Sequence, residues 1–281
     1  LLERLLREWK PDAVVCTYMV YPYMLDSLAS RTGRAVPYLT VVTDSFVINK
    51  SWLCSKSPLW AVTDPWTRAI MEEKGLPQDR LRVTGFPVNP VLGALAEEHP
   101  LSWKEGEPFR VLYFAQRSAR HARAELAGML DANPALHVTC ILGRRFRRIY
   151  PRIRDLRARY GRRLTVRGWT RRVPSYLAAS HVVVGKAGGA TVHEVLAAAR
   201  PMLVNFLLPG QEEGNTRLLE KLGGGSHVPD ARALASALQE MMADGGAQWR
   251  RMHENLLRAG MTGGSGRIAD LALKLAEEHT N

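Results

Sequence analysis

The stretch Gly185–Asn215, GKAGGATVHEVLAAARPMLVNFLLPGQEEGN, decides the fold of this chain. Just before it, His181–Val184 reads as a buried strand. The strand runs into a loop with two adjacent glycines, Gly188 and Gly189. A helix follows, and Thr191 with Glu194 has the spacing of a capping box. Arg200–Pro201 stops that helix, because a residue before proline is pushed out of the helical region. Pro201–Leu207 reads as a second strand, and Pro209–Asn215 as a polar loop ahead of another helix. Strand, loop and helix, repeated, make the unit of a parallel α/β sheet. Ligands of such sheets sit beyond the carboxyl ends of the strands. Both polar clusters fall at those ends and are expected to face one ligand.

The same alternation extends in both directions. Upstream, Ala13–Thr17, Pro37–Thr43, Leu59–Thr63 and Arg82–Gly85 read as strands, with a helix over Tyr23–Ser30. Asp64 is a good N-cap, with Pro65 at the first helical position of a further helix. Phe109–Ala115 begins a second series: helix 119–132, strand 136–142, helix 145–160, strand 163–167 and helix 173–180. The polar segment His99–Pro108 separates the two series. The expectation is therefore an α/β protein with two doubly wound domains, residues 1–98 and 109–259. A terminal helix, 267–281, follows the joint Gly260–Gly266 and is expected to return to the first domain. The chain opens in helix-like LLERLLREW, whereas a doubly wound domain begins with its central strand and a phosphate loop. The first domain is thus expected to be incomplete at its amino end.

Composition narrows the function. Hydrophobic residues make up 46% of 281, ample for sizeable cores. No run reaches the roughly 18 apolar residues of a membrane span, and no secretory leader is expected. Cys16, Cys54 and Cys140 are few and scattered, which argues against a disulfide framework or zinc site and for a reducing compartment. The formal charge is +12, and between Arg144 and Arg172 thirteen arginines meet one acidic residue, Asp155. Such a patch attracts phosphates, whether of membrane lipid, nucleic acid or nucleotide; a solvated helix face is the plainer reading. No aromatic stacking pattern accompanies the arginines, which argues against nucleic acid.

The block GKAGGATVHEVLAAARPMLV…PGQEEGN resembles glycosyltransferase family 28, in the branch of monogalactosyldiacylglycerol synthase and the processive diacylglycerol glucosyltransferases. PDAVVCT, VPYLTVVTD and VTGFPVNP resemble earlier family segments in the same order. The resemblance implies a GT-B fold of two Rossmann-like domains facing a cleft. It implies an inverting transfer of a hexose from a UDP-sugar, with no cofactor or catalytic metal, to a lipid acceptor of the diacylglycerol type. It also implies a protein that is cytoplasmic and peripheral to the membrane, working at an anionic membrane surface. The arginine run suits such a surface, and Trp52 and Trp60 are expected to dip into it. Two departures stand out. The family's first glycine-rich loop, with a His assigned as catalytic base, has no counterpart here. The loop after Phe109–Ala115 is QRSARHAR where relatives carry more glycine; Arg117 or Arg120 supplies charge in its place. The alternatives are a catalytically impaired relic that binds UDP or anionic lipid, and a UDP-sugar epimerase.

The resemblance also assigns roles. Gly188, Gly189 and Thr191 form an amide cradle for the donor diphosphate, since glycine lets oxygen approach the backbone. Glu194 would hold the ribose hydroxyls, with the capping box as its structural alternative. Gln211 and Glu212 would hold sugar hydroxyls, and Asn215 is either a donor contact or an N-cap. Lys186 is either a phosphate contact or solvated. Trp169 and Thr170, after a strand, would meet the uracil. Asp44, at the end of TVVTD, is the candidate that deprotonates or orients the acceptor hydroxyl. His193, one residue from Glu194, is expected on the helix surface.

Overall fold

The computed structural model describes residues 1–98 and 101–280. His99 and Pro100, at the head of the expected linker, lie outside the described residues. The chain divides into two compact units, Leu1–Val88 with Thr262–Asn281, and Asn89–Met261.

The first unit holds α1 (Leu2–Trp9), β1 (Val14–Cys16), α2 (Val20–Thr32), β2 (Tyr38–Val41), β3 (Leu59–Val62), α3 (Pro65–Glu73) and β4 (Leu81–Val83). Its four strands pair in parallel in the order β1-β2-β3-β4. Strand β2 is buried along its whole length because both faces are covered. On one side Val42, Trp60 and Val62 pack with Ile48, Trp52 and Met71. On the other, Leu39, Val41 and Ala61 pack with Ile268 and Leu275 of the closing helix. That helix is fastened by Arg267 Nε, which donates to the Thr84 carbonyl at 2.6 Å. Asp64 caps α3 as expected, accepting the Thr67 N–H at 2.8 Å. Trp52 and Trp60 are 2% and 1% exposed, so neither is a membrane anchor. Their rings fill the space between the sheet and its covering segments. Cys16 and Cys140 are also buried, and burial pushes the Cys16 thiol up to about 12. Cys54 is exposed, its Sγ donating to the Lys50 carbonyl at 3.4 Å.

The second unit holds α4 (Val91–Glu98), β5 (Phe109–Phe114), α5 (Ala119–Ala132), β6 (Leu136–Ile141), α6 (Phe146–Ile149), α7 (Arg154–Tyr160) and β7 (Leu164–Arg167). It continues with α8 (Val173–Ala178), β8 (Val182–Lys186), α9 (Gly189–Ala197), β9 (Met202–Phe206), α10 (Gln211–Lys221), β10 (Gly225–His227) and α11 (Ala231–Ala259); α12 (Gly264–Thr280) is the closing helix of the first unit. Six parallel strands run β10-β9-β8-β5-β6-β7. Phe109, Val111 and Tyr113 of the central strand face a core shared with Leu126, Met129 and Leu238.

Several expectations shift. Helix α4 packs on α8 and α9, so the units part after Val88 rather than at 98. The helix expected over 145–160 breaks around Pro151, whose missing N–H and ring cannot continue a helix; Ile153 there has φ −126°. The closing helix starts at Gly264, three residues early. Helix α11 is interrupted at Ala243–Gly246, where Asp244, Gly245 and Gly246 take positive φ. A Cβ on Gly246 would lie 2.8 Å from the Trp103 ring, so that position requires glycine.

Candidate functional site

The site of interest is the junction of β8 with α9. Gly188, in extended backbone at φ −69° and ψ 139°, is the N-cap, and no side chain caps the helix. The N–H groups of Gly189, Ala190 and Thr191 therefore have no intrahelical acceptor. Three donors and the positive end of the helix dipole are left open at the carboxyl end of a buried strand. The expected capping box does not form. The helix begins at Gly189, so Thr191 is its third residue, not its cap, and Glu194 lies in the second turn.

Glu194 shares a helix face with Ala190 and Thr191. It is half-buried, and burial alone raises its carboxyl above the ordinary range. Among the described residues its carboxylate has no hydrogen-bond or ion-pair partner. A desolvated acceptor beside open amides suits a ligand with paired hydroxyls and an anionic group. His193, expected on the surface, is 2% exposed. It shares the inward face with Val192 and Leu196, and burial depresses its pKa to about 3.

Of the expected loop Pro209–Asn215, only Pro209 and Gly210 form a turn. Helix α10 starts at Gln211, which places Glu212 in its first turn and Asn215 in its second, so Asn215 is no N-cap. Glu212 is buried and committed: Oε1 pairs with Lys186 Nζ, and Oε2 accepts the Leu208 N–H at 2.7 Å. Asn215 is fully buried, its Nδ2 donating to the Ala187 carbonyl at 2.9 Å and its Oδ1 unpartnered. These two residues hold the β8–α9 loop in place, and Gln211 alone of the three is exposed. Lys186 is thus partly exposed and paired with a carboxylate.

Trp169 and Thr170 follow β7, three strands from β8 in the sheet order, roughly 14 Å away at ordinary strand spacing. Trp169 is 60% exposed, with the Arg171 guanidinium over its ring, so it is not a packing residue. Only an extended ligand would span from Trp169 to Glu194.

In the first unit Asp44 is 3% exposed. Burial raises its carboxyl pKa, opposed by the Trp52 indole N–H, which donates to Oδ2 at 2.9 Å, and by the Asn49 backbone N–H.

Three features escaped the sequence reading. One is the Trp52–Asp44 bond. Another is the Lys186–Glu212 pair. The last is Glu125, 2% exposed, which accepts from the Tyr113 hydroxyl at 2.6 Å, the Asn205 amide at 2.7 Å and Arg117 at 3.4 Å. Its signal was a carboxylate in the apolar stripe Ala122, Leu126, Met129. This network turns Arg117 inward, away from the phosphate role expected of it. Within the arginine run Arg159 pairs with Asp131, whereas Asp155 is held by Arg123 from outside the run, through two nitrogens at 2.6 Å each.

The family model of the glycosyltransferase family 28 C-terminal domain matches residues 125–265, half of the chain. The chain belongs to glycosyltransferase family 28. The monogalactosyldiacylglycerol synthase model matches residues 1–88 of this family 28 chain. Processive diacylglycerol beta-glucosyltransferase of Staphylococcus carnosus is 25% identical over 249 residues, covering 87% of the chain. The Bacillus subtilis protein of the same description is 23% identical over 285 residues, with 99% of the chain and 73% of the relative covered. The chain spans 62% of the length of the S. carnosus relative. Among solved structures, MurG of Acinetobacter baumannii superposes with a TM-score of 0.66 at 16% identity, over 96% of this chain and 76% of that one. UDP-GlcNAc 2-epimerase of Neisseria meningitidis, bound to UDP-GlcNAc, reaches 0.68 at 16%, over 97% and 79%. These likenesses give the two-sheet fold of GT-B glycosyltransferases and epimerases.

Proposed function

We propose that this family 28 chain carries a UDP-sugar site for inverting transfer of a hexose to a diacylglycerol-type lipid. The observation that carries the reading is the pairing of open amides at Gly189, Ala190 and Thr191 with the unpartnered Glu194 carboxylate. The amides take the diphosphate and Glu194 the ribose diol. The exposed Gln211 meets the hexose, and Trp169 and Thr170 meet the base. Glu212 and Asn215 shape the loop rather than touch the donor.

The chemistry follows from charge. The acceptor oxygen attacks the anomeric carbon as the bond to the diphosphate breaks, through an oxocarbenium-like state. The bonding pair leaves on UDP, and fixed amide dipoles stabilise that negative charge. We assign Asp44 as the acceptor's proton acceptor: its raised carboxyl pKa makes it a better base than an exposed aspartate. The stabilisation invoked comes from backbone dipoles, and the scheme invokes no metal or cofactor.

A diacylglycerol acceptor places the reaction at a bilayer. Among the described residues no helix is long and apolar enough to cross one. We read the protein as peripheral to the cytoplasmic face, held by its uncompensated arginines to anionic lipid. The deciding experiment supplies radiolabelled UDP-glucose or UDP-galactose with and without diacylglycerol. A labelled glycolipid with release of UDP is expected. Altered sugar without any acceptor would identify an epimerase and overturn the reading.

A further inference from the structure

A second polar concavity lies at the other end of the larger sheet. In β6 and β7 only alternate residues reach the core: Leu136, Val138, Cys140, Leu164 and Val166. On the opposite face, His137, Thr139 and Thr165 are only half-buried, whereas Ile141 at the carboxyl end of β6 is buried. Parallel strands ordinarily have both faces covered by apolar packing, so a polar open face calls for an account. Here it lines a groove of about 330 Å³, bordered by Arg110, Arg162 and Arg163, by Tyr176 of α8 and by Ser180 just after that helix.

The lining contains three guanidinium groups, an imidazole and four hydroxyls, and no carboxylate. None of Arg110, Arg162 and Arg163 has an acidic partner among the described residues. Two of them are fixed in place by carbonyls. Arg110 Nε donates to Ala179 at 2.6 Å, and Arg163 Nη1 donates to Leu130 at 3.0 Å and Asn133 at 3.1 Å. Carbonyls orient a guanidinium without cancelling its charge. The resulting field is felt by His137, whose pKa is lowered by partial burial and then by Arg163 and Arg110.

Fixed guanidinium groups with hydroxyl donors between them match a multi-oxygen anion. We infer that this groove binds a phosphate ester. Arg110, His137 and Thr165 each stand second in their strands, whereas the open amides of α9 lie past the carboxyl end of β8. The groove is therefore separate from the proposed donor site. Its volume exceeds that of phosphate alone, so the ester's organic part is also accommodated. A soluble phosphate ester and a phospholipid headgroup share this chemistry.

The test follows the His137 ring resonances by NMR at fixed pH and ionic strength, with UDP saturating in every sample. The probes are inorganic phosphate, glycerol phosphate, and vesicles of phosphatidylcholine with or without phosphatidylglycerol. A saturable shift with the soluble anions, weakened about tenfold by Arg162→Glu and restored by Arg162→Lys, is the expected result. A response only to the anionic vesicles assigns the same groove to a lipid headgroup. Thr165→Val, which removes a hydroxyl at nearly constant volume, should weaken binding in the same assay. Silence of His137 toward all probes, or an undiminished shift in Arg162→Glu, overturns the inference. Because His137 is read directly, a failure of UDP to bind its own site leaves this outcome distinct.

Discussion

Lys186 and Glu212 stand 26 residues apart in the chain and meet as an ion pair that ties the end of β8 to the first turn of α10. The same carboxylate holds the Leu208 N–H, so one buried side chain organises both loops at the candidate site. Glu212→Ala should cost about 2–3 kcal/mol, because it strands a lysine and a backbone donor together. Glu212→Gln keeps an acceptor for Leu208 and should lose less. Urea denaturation of both variants measures the difference; equal losses would mean that the ion pair contributes nothing.

Glu194→Ala should weaken UDP by about tenfold or more, the scale of hydrogen bonds to a charged acceptor. The far-UV spectrum should not change, since the carboxylate makes no hydrogen bond or ion pair among the described residues. The pH dependence has a definite sign. Burial raises this carboxyl, so the ionised acceptor is lost as pH falls through a value above that of an ordinary glutamate. Uridine, which has no phosphate to titrate, should bind more weakly on the acid side, and Glu194→Gln should flatten that limb in calorimetry.

The buried His193 and His181 have pKa values lowered to about 3 and about 4. Both therefore stabilise the fold as neutral groups above the unfolded value near 6.5. That contribution is lost as pH falls from there toward the folded values, because the unfolded chain binds the protons first. The expected slope is about 1.4 kcal/mol per pH unit for each histidine. His193→Gln should reduce the acid sensitivity of thermal unfolding between about pH 6 and 4, the window these shifts define. An unaltered pH profile in calorimetric scans would count against a neutral buried His193.

Asp44→Asn should abolish turnover while leaving UDP affinity within about twofold. Trp52→Phe removes the indole donor that favours the charged carboxylate, so the Asp44 pKa should rise further. The acid limb of the rate profile should then move to higher pH. A limb that stays in place would detach Asp44 from the proton transfer.

Much of the second unit was legible because its signals are local. The helix expected over 119–132 has those bounds, whereas the helix expected to stop at Arg200–Pro201 ends at Ala197, ahead of Ala199 in positive φ. PGQEEGN was misread because its glycines and acidic residues look like loop chemistry, whereas Glu212 and Asn215 are spent on tertiary bonds that permit a helix. Thr191 and Glu194 have capping-box spacing, but Gly188 already turns the chain into the helix three residues earlier. Trp52 looked like a surface anchor, since nothing in the local sequence shows that Asp44 lies within reach of its ring nitrogen. Pairings between distant positions were the illegible part.

The burial of Cys16 and Cys140 beside the exposure of Cys54 has a practical outcome. A thiol-reactive fluorophore would label the native protein at a single position, two residues past the tryptophan that steadies Asp44. An optical reporter two residues from the indole that binds Asp44 is thus available without any engineered cysteine.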